Sequence, residues 1–170
     1  MGIRGPSRAG KTALKAIQTQ DPENHGGASR TIVFEIPGKP VSANASRKPQ
    51  AVKTAQSTYR GRMYKASDAA TYQNKVYALS FSLASELRWK WPYYCAVILD
   101  VYNVAQDVDN VPKCILDGMQ GVFYAADSRV KKLTVNMHRD KKGPRVIVTV
   151  RGMPHDECVL MGFPIPKKFR

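Results

Sequence analysis

A stretch in the second half of the chain concentrates side chains that could hydrolyse a phosphodiester. Asp107 and Asp109 are two positions apart, and Lys113, Asp117 and Asp127 follow them. Mg²⁺ binds one or two protein carboxylates and keeps coordination positions for water and substrate. Carboxylates that lie together without a cation raise one another's pKa. We therefore infer a metal site formed by Asp107, Asp109 and Asp127, with Lys113 as a point charge on the phosphate.

The residues between these aspartates admit two interpretations. Asn110 could cap a helix that begins near residue 110, or it could orient a ligand or a water molecule. Lys113 and Asp117 are four positions apart and would share one helix face. The alternative is a turn with Asx-type hydrogen bonds, an ordinary helix ion pair and a surface aspartate at Asp127. Spacing alone leaves both interpretations open.

The charge balance favours a polyanionic partner. The chain has 27 Lys and Arg against 13 Asp and Glu, a net charge of +14, and each phosphate that a protein neutralises releases condensed counterions. A basic protein without such a partner, or one drawn to anionic membranes, is the alternative. Between Glu35 and Asp68 there is no acidic residue. We interpret this long, structureless segment as a phosphate clamp rather than a solvated loop, with the cations Lys39, Arg47, Lys48, Lys53, Arg60, Arg62 and Lys65.

Composition disfavours several classes of protein. The three cysteines are scattered, and with the three histidines they complete neither a disulfide framework nor a zinc signature. No apolar run approaches the ~20 residues that span a bilayer, and no signal-peptide pattern is visible. We therefore expect a protein without a membrane partner, cytoplasmic or otherwise intracellular and associated with DNA.

The N-terminal residues contain a match to the phosphate-loop motif, from Gly5 to Thr12 with Lys11 as its lysine. A functional phosphate loop needs a buried strand before it and a helix after it. Only Met1 to Arg4 precede this match. We interpret it as a coincidence within a flexible basic arm over residues 1–30, and we expect no nucleotide cofactor. A nucleotide-hydrolysing enzyme that uses Lys11 is the alternative.

Periodicity predicts the elements that must position the acidic stretch. Thr31 to Pro37 alternates as a half-buried strand. A helix with Ser67 as its N-cap should run to about Arg88, with an apolar face that covers a sheet. Tyr94 to Val104 is apolar on both faces and is typical of a strand in the middle of a covered sheet.

The sequence after the acidic stretch predicts a β-hairpin and a tail. Val130 to Met137 and Val146 to Val150 both alternate, with a turn between them. Cations on the exposed face of this hairpin, including Arg129, Lys131 and Lys132, extend the DNA-binding surface. Residues 152–170 show no clear periodicity, so we expect an extended C-terminal tail.

The acidic stretch resembles a known family. A DxDNxxK run is followed by an Asp four residues on, by a turn containing Gly121 and by a segment similar to DD-x-Q-V. These are the signature of RusA-type Holliday junction resolvases, carried here by Asp107-Val108-Asp109-Asn110-Val111-Pro112-Lys113, Asp117 and Asp127-Ser128-Arg129-Val130. The resemblance extends more weakly to Pro37-Gly38-Lys39-Pro40 and to the order of elements, and so covers about residues 31–151 as a nuclease domain.

The resemblance implies a small α/β (α+β) fold, a mixed β-sheet covered by two main helices. It also implies a homodimer that depends on Mg²⁺, with Mn²⁺ as a substitute, and that nicks four-way DNA junctions in pairs. Asp107, Asp109 and Asp127 would be catalytic metal ligands, Lys113 the catalytic lysine, and Asn110 and Asp117 supporting residues. Two departures stand out: Ala126 occupies the position of the first acid of the DD pair, and Arg129 replaces a common Gln.

These observations together predict a structure-specific endodeoxyribonuclease that resolves Holliday junctions in recombination and repair, in a bacterial or phage-type context. Two alternatives are kept. One is a non-catalytic protein that binds nucleic acid by its structure and has a vestigial acidic cluster. The other is a nuclease of flaps or other branched DNA on the same fold.

Overall fold

The fold is built on a mixed sheet whose strands are not consecutive in the chain. The computed structural model describes residues 30–41, 47–53, 59–65, 67–105, 107–163 and 165–167, with backbone alone for Ser67 and the second and third ranges. The strands within these ranges are β1 (Thr31–Pro37), β2 (Arg47–Lys53), β3 (Tyr59–Lys65), β4 (Cys95–Tyr102), β5 (Val130–His138) and β6 (Arg145–Gly152). Four of them form one sheet in the order β1-β6-β4-β5, in which only β4 and β5 are parallel neighbours.

Three α-helices accompany the strands in the described part of the chain: α1 (Ser67–Glu86), α2 (Pro112–Met119) and α3 (His155–Leu160). A 3₁₀ helix, Asp127–Arg129, precedes β5. The first two α-helices pack with one face of the sheet in a single apolar core. This arrangement confirms the predicted α+β class and the two covering helices. Among the described helices, none combines the length and the apolar character that crossing a membrane requires.

Alternation along β1 and β6 supplies the sheet side of the core. Ile32 is opposite Val150, and Phe34 is opposite Val148, and all four side chains are buried. The apolar stripe of α1 lies against this face, with Val76 and Leu83 among its buried members. The predicted strand at Thr31–Pro37 and the predicted helix are thus confirmed, the helix ending at Glu86 instead of about Arg88.

The predicted hairpin between β5 and β6 is wrong. β4 lies between them, parallel to β5 and antiparallel to β6. The physical reason is that β4 is the most apolar strand and is buried best in the interior of the sheet, where Val97, Leu99 and Val101 are fully buried. β5 becomes an edge strand, and its basic, partly exposed sequence suits that position.

The segment from Lys39 to Lys65, expected to lack regular structure, contains an antiparallel pair formed by β2 and β3. The backbone register places Arg47 opposite Lys65 and Val52 opposite Arg60. Strand pairing therefore carries six of the seven cations that we assigned to a phosphate clamp, all except Lys39. The clamp itself remains a prediction.

The C-terminal segment is not the extended tail that we expected. After β6 the chain forms α3, and Met153, Cys158 and Ile165 are buried with Ala96 of β4 in a second apolar cluster. This cluster covers the first part of the second face of β4. Further along, Ile98 on that face is 37% exposed, so the two-sided burial expected for β4 holds only at its start. The arm over residues 1–30 and its phosphate-loop match lie outside the described residues, apart from Arg30.

Close packing of α2 on α1 yields the first testable prediction. A Cβ built at Gly118 of α2 would lie 2.7 Å from Cβ of Val76 in α1. We expect Gly118→Ala to lower the free energy of unfolding by about 1–3 kcal/mol, since overpacking outweighs the better helix propensity of alanine. Urea unfolding measures the change. Gly143→Ala is the control, because an added Cβ there meets no described atom within 4 Å. Equal unfolding midpoints for the two variants would contradict the prediction.

Candidate active site

Lys113 joins two carboxylates that come from different parts of the fold. It lies in the first turn of α2, and its Nζ donates to Asp117 Oδ1 at 2.7 Å, one helical turn further on. The same Nζ donates to Asp127 Oδ2 at 3.2 Å, across fourteen positions of sequence. The pair Lys113–Asp117 is the helix-face contact predicted from spacing. Helix spacing did not predict the contact with Asp127, which links α2 to the segment just before β5.

The turn between α2 and β5 brings Asp127 back to Lys113. Gly121 has a φ of +77°, a conformation that glycine adopts without strain. Tyr124 is fully buried and donates its hydroxyl to Leu116 O at 2.8 Å. The indole N–H of Trp91 donates to Val122 O at 2.7 Å. These anchors fix the turn, and a short 3₁₀ helix then begins at Asp127.

The charge state of Lys113 follows from these contacts. Hydrogen bonds to Asp117 and then to Asp127 raise the pKa of the Lys113 ammonium above its ordinary value. The group is therefore a permanent cation at neutral pH. Burial, followed by the negative charge of Asp127, raises the pKa of the Tyr124 hydroxyl, so this phenol stays neutral and serves as an anchor.

Asp127 keeps one oxygen free. Its Oδ2 accepts from Lys113, whereas its Oδ1 is buried and has no hydrogen-bond partner within the described residues. A buried carboxylate oxygen without a partner is costly unless a ligand fills the gap. This oxygen is the clearest point in the site at which a cation could be bound.

Asp107 and Asp109 lie in the turn between β4 and α2, and both are exposed. The backbone N–H of Asn110 donates to Asp107 O at 3.1 Å. The structure does not assemble Asp107, Asp109 and Asp127 into a metal centre, since no three histidine, cysteine or acidic side chains of the described chain form a group that could hold an ion. The predicted ligand set therefore stays a prediction.

Asn110 does not cap α2. The N-cap position is Val111, in helical backbone geometry and without a side-chain capping bond, and Pro112 opens the helix. Proline suits this position because its missing N–H would have no intrahelical partner there. Of the two roles predicted for Asn110, orientation of a ligand or water is the one that remains a prediction.

A polar network fixes the point where the chain leaves β4 towards Asp107. Asn103 has a φ of +57°, and its side-chain amide donates to Asp140 at 2.8 Å, while Asp140 N donates back to Asn103 Oδ1 at 3.0 Å. Asp140 also accepts from the Arg145 guanidinium and from Lys142 N. The Arg145 bond is the largest of several effects that lower the pKa of Asp140. Sequence analysis missed this network, because its residues lie in segments far apart.

The family of this chain follows from its similarity to known proteins. The chain matches the family model described as endodeoxyribonuclease RusA over residues 37–151, more than half of its 170 residues. This protein belongs to the RusA family. It is therefore an endodeoxyribonuclease of the general Holliday-junction class, as the resemblance of its acidic stretch predicted. No curated protein matches the chain.

The two departures from the RusA pattern can now be placed. Ala126 is the N-cap of the 3₁₀ helix and is half-buried, so Asp127 has no acidic neighbour on that side. Arg129 lies over the ring of Tyr93, with its guanidinium carbon 4.2 Å from the ring centre. Of the other cations predicted to bind DNA, Lys39 and Lys132 are exposed and Lys131 is half-buried, while the side chains on β2 and β3 lie outside the description.

Acid titration tests the network that precedes Asp107. Because the folded-state pKa of Asp140 lies below its unfolded value of about 3.9, its contribution to stability is complete above that value. That contribution is lost as the pH falls through the folded pKa. We expect Asp140→Asn to be less stable than the wild type at pH 7 in urea unfolding, with the difference shrinking below about pH 4.

The matched control is Asp156→Asn, because the Asp156 side chain is 98% exposed. It should unfold at the wild-type midpoint at pH 7. A stability difference for Asp140→Asn that stays constant from pH 7 to about pH 2 would contradict the assigned role of its carboxylate.

Proposed function

We propose that this RusA-family protein is a Mg²⁺-dependent homodimer that resolves four-way DNA junctions by paired symmetric nicks, in DNA recombination and repair inside the cell. The observation that carries the proposal is the contact of Lys113 with both Asp117 and Asp127. It places a fixed cation beside a carboxylate with a free oxygen, in the segment that holds Asp107 and Asp109.

The donor set is suited to a hard cation. Asp107, Asp109 and Asp127 offer carboxylate oxygens, which Mg²⁺ and Mn²⁺ prefer. The unpartnered Oδ1 of Asp127 supports its role as a ligand, and the carboxylates of Asp107 and Asp109 are exposed to solvent. When bound, Mg²⁺ would supply neutralisation of the phosphate charge and activation of a water molecule.

Lys113 has the charge and position for phosphate stabilisation. Its ammonium is a compact cation with three donors, and two of them point at Asp117 and Asp127. The third is available for an oxygen of the scissile phosphate, where charge develops as the phosphodiester is attacked. Asp117 is a positioning residue in this proposal, since it holds Lys113 without belonging to the ligand set.

Affinity for the junction comes from the basic residues of the chain. Lys39 follows β1, and the cations of β2 and β3 follow it in sequence. Arg129 ends the 3₁₀ helix before β5, and Lys131 and Lys132 lie at the start of β5. Contacts of this kind position DNA without reading its sequence. Recognition of branched DNA then depends on how two such surfaces are arranged.

A homodimer provides that arrangement. A four-way junction cut symmetrically in two strands requires two centres related by a two-fold axis, and each chain holds one. The described surface leaves apolar side chains uncovered, among them Ile98, Leu133 and Met137, which are 37–43% exposed. Apolar surface of this kind is what subunits cover on association.

The catalytic assignment predicts a separation of cleavage from binding. We expect Asp109→Asn to reduce the cleavage rate of a four-way junction by on the order of a hundredfold or more, because a metal ligand is lost. Binding measured without divalent cations should be retained, since the basic surface is intact. Gel assays of nicking and of binding measure the two effects, with Asp156→Asn as the matched control. Wild-type nicking by Asp109→Asn would refute the assignment.

The mass of the protein in solution tests the proposed homodimer directly. Sedimentation equilibrium of the full chain should give twice the mass of one 18.9 kDa chain at micromolar concentration. A single-chain mass that persists when the junction is bound would remove the dimer from the proposal.

A further inference from the structure

Two cations, one just before β5 and one at its start, lie on aromatic rings. The guanidinium carbon of Arg129 is 4.2 Å from the ring centre of Tyr93 and 5.9 Å from that of Tyr94. Lys131 Nζ is 5.0 Å from the ring centre of Tyr94 and 4.9 Å from that of Phe163. We call these five residues the cation–aromatic strip; its first cation, Arg129, is two positions after Asp127.

The rings of the strip are held in place by packing. Tyr93 and Tyr94 meet edge to face with centres 4.6 Å apart, and Tyr94 and Phe163 meet similarly at 6.1 Å. Phe163 is fixed by its backbone N–H, which donates to the carbonyl of the buried Cys158 at 2.7 Å. Met153 N donates to Tyr94 O at 2.9 Å. The C-terminal segment beyond the family match therefore builds one side of the strip.

The two cations of the strip differ from Arg145 and Arg151 in their ion pairing. Arg145 is paired with Asp140 and Glu35, and Arg151 is paired with Glu157. Within the described chain, neither Arg129 nor Lys131 forms a salt bridge with a carboxylate. Stacking on a ring restrains a cation through the ring quadrupole and leaves its N–H donors unused. The strip thus presents oriented donors that have no acceptor among the described residues.

We propose that Tyr93, Tyr94 and Phe163 hold Arg129 and Lys131 as a contact for DNA phosphates beside the candidate active site, so that residues 152–163 take part in junction binding. The inference rests on the proposed function. Phosphates of the DNA arm next to the cut are the ligands that fit. The cations of the strip follow Asp127 closely in sequence, and the strip carries no negative charge. The rings are positioning residues, and the cations bind.

Binding of a labelled four-way junction to the full chain, without divalent cations and over a series of salt concentrations, tests the charged half. Arg129→Gln and Lys131→Gln should each weaken binding by roughly fivefold to tenfold. Each should also reduce the slope of log affinity against log salt by about one. Lys141→Gln removes an equal charge from the exposed loop after β5 and should change affinity by less than about twofold.

A conservative pair at Phe163 tests the aromatic half. Phe163→Leu keeps apolar bulk but removes the ring face, and should weaken junction binding by about threefold. Phe163→Tyr keeps the face and should bind as the wild type does. If Phe163 only stabilised the fold, the two variants would differ in their unfolding midpoints according to the size of the side chain. Their affinities for the junction would then be the same. Circular dichroism confirms that each variant is folded.

Failure of this inference differs from failure of the proposed function. If Arg129→Gln and Lys131→Gln bind as Lys141→Gln does, or if Phe163→Leu binds as Phe163→Tyr does, the strip is not a DNA contact. The proposed function would still stand after that result, as long as the wild type cleaves the junction. If the wild type itself neither binds nor cleaves the junction, the proposed function is overturned first.

Discussion

The contact of Lys113 with Asp117 and Asp127 is the interaction on which the account of this protein depends. It requires α2 to lie at a fixed depth on α1, which the absence of a side chain at Gly118 permits. It also requires the turn after α2 to return the chain to the start of β5, which the buried Tyr124 secures. Packing far from the charges therefore determines the distance between them.

The sheet explains why the site lies where it does. β4 occupies an interior position because it is the most apolar strand, and β5 pairs with it in parallel. The 3₁₀ helix that leads into β5 begins at Asp127, and the cations of the cation–aromatic strip follow at Arg129 and Lys131. A carboxylate whose Oδ1 has no partner among the described residues and two oriented cations thus lie within five sequence positions, where the 3₁₀ helix leads into β5. This edge strand is partly exposed and accessible to a large ligand such as DNA.

Sequence alone predicted the parts of the fold that are encoded locally. The alternation at Thr31–Pro37 and the stripe of α1 are local signals, and the resemblance of the DxDNxxK run and the segments after it predicted the family. The β5–β6 hairpin was predicted wrongly, because alternation shows that a segment is a strand without showing its neighbour. α3 and its buried Cys158 were missed, since a helix of six residues gives too short a periodic signal.

The candidate site was predictable in its composition and only partly in its geometry. Helix spacing gave the Lys113–Asp117 pair, whereas the Lys113–Asp127 contact depends on a turn whose course no local pattern specifies. The Asn103–Asp140 network and the contacts of Phe163 join residues that are 37 and more than 30 positions apart. Long-range contacts of this kind arise from the sheet order, which the sequence left open.

The most direct test of the account is cleavage by the wild-type chain of a four-way junction, a flap and a linear duplex, each with and without Mg²⁺. The account predicts paired symmetric nicks in the junction that require Mg²⁺, with little cutting of the other two substrates. Binding of the junction without any cleavage in Mg²⁺ would contradict it and indicate a non-catalytic binding protein. Faster cutting of the flap would contradict the junction assignment while keeping the nuclease.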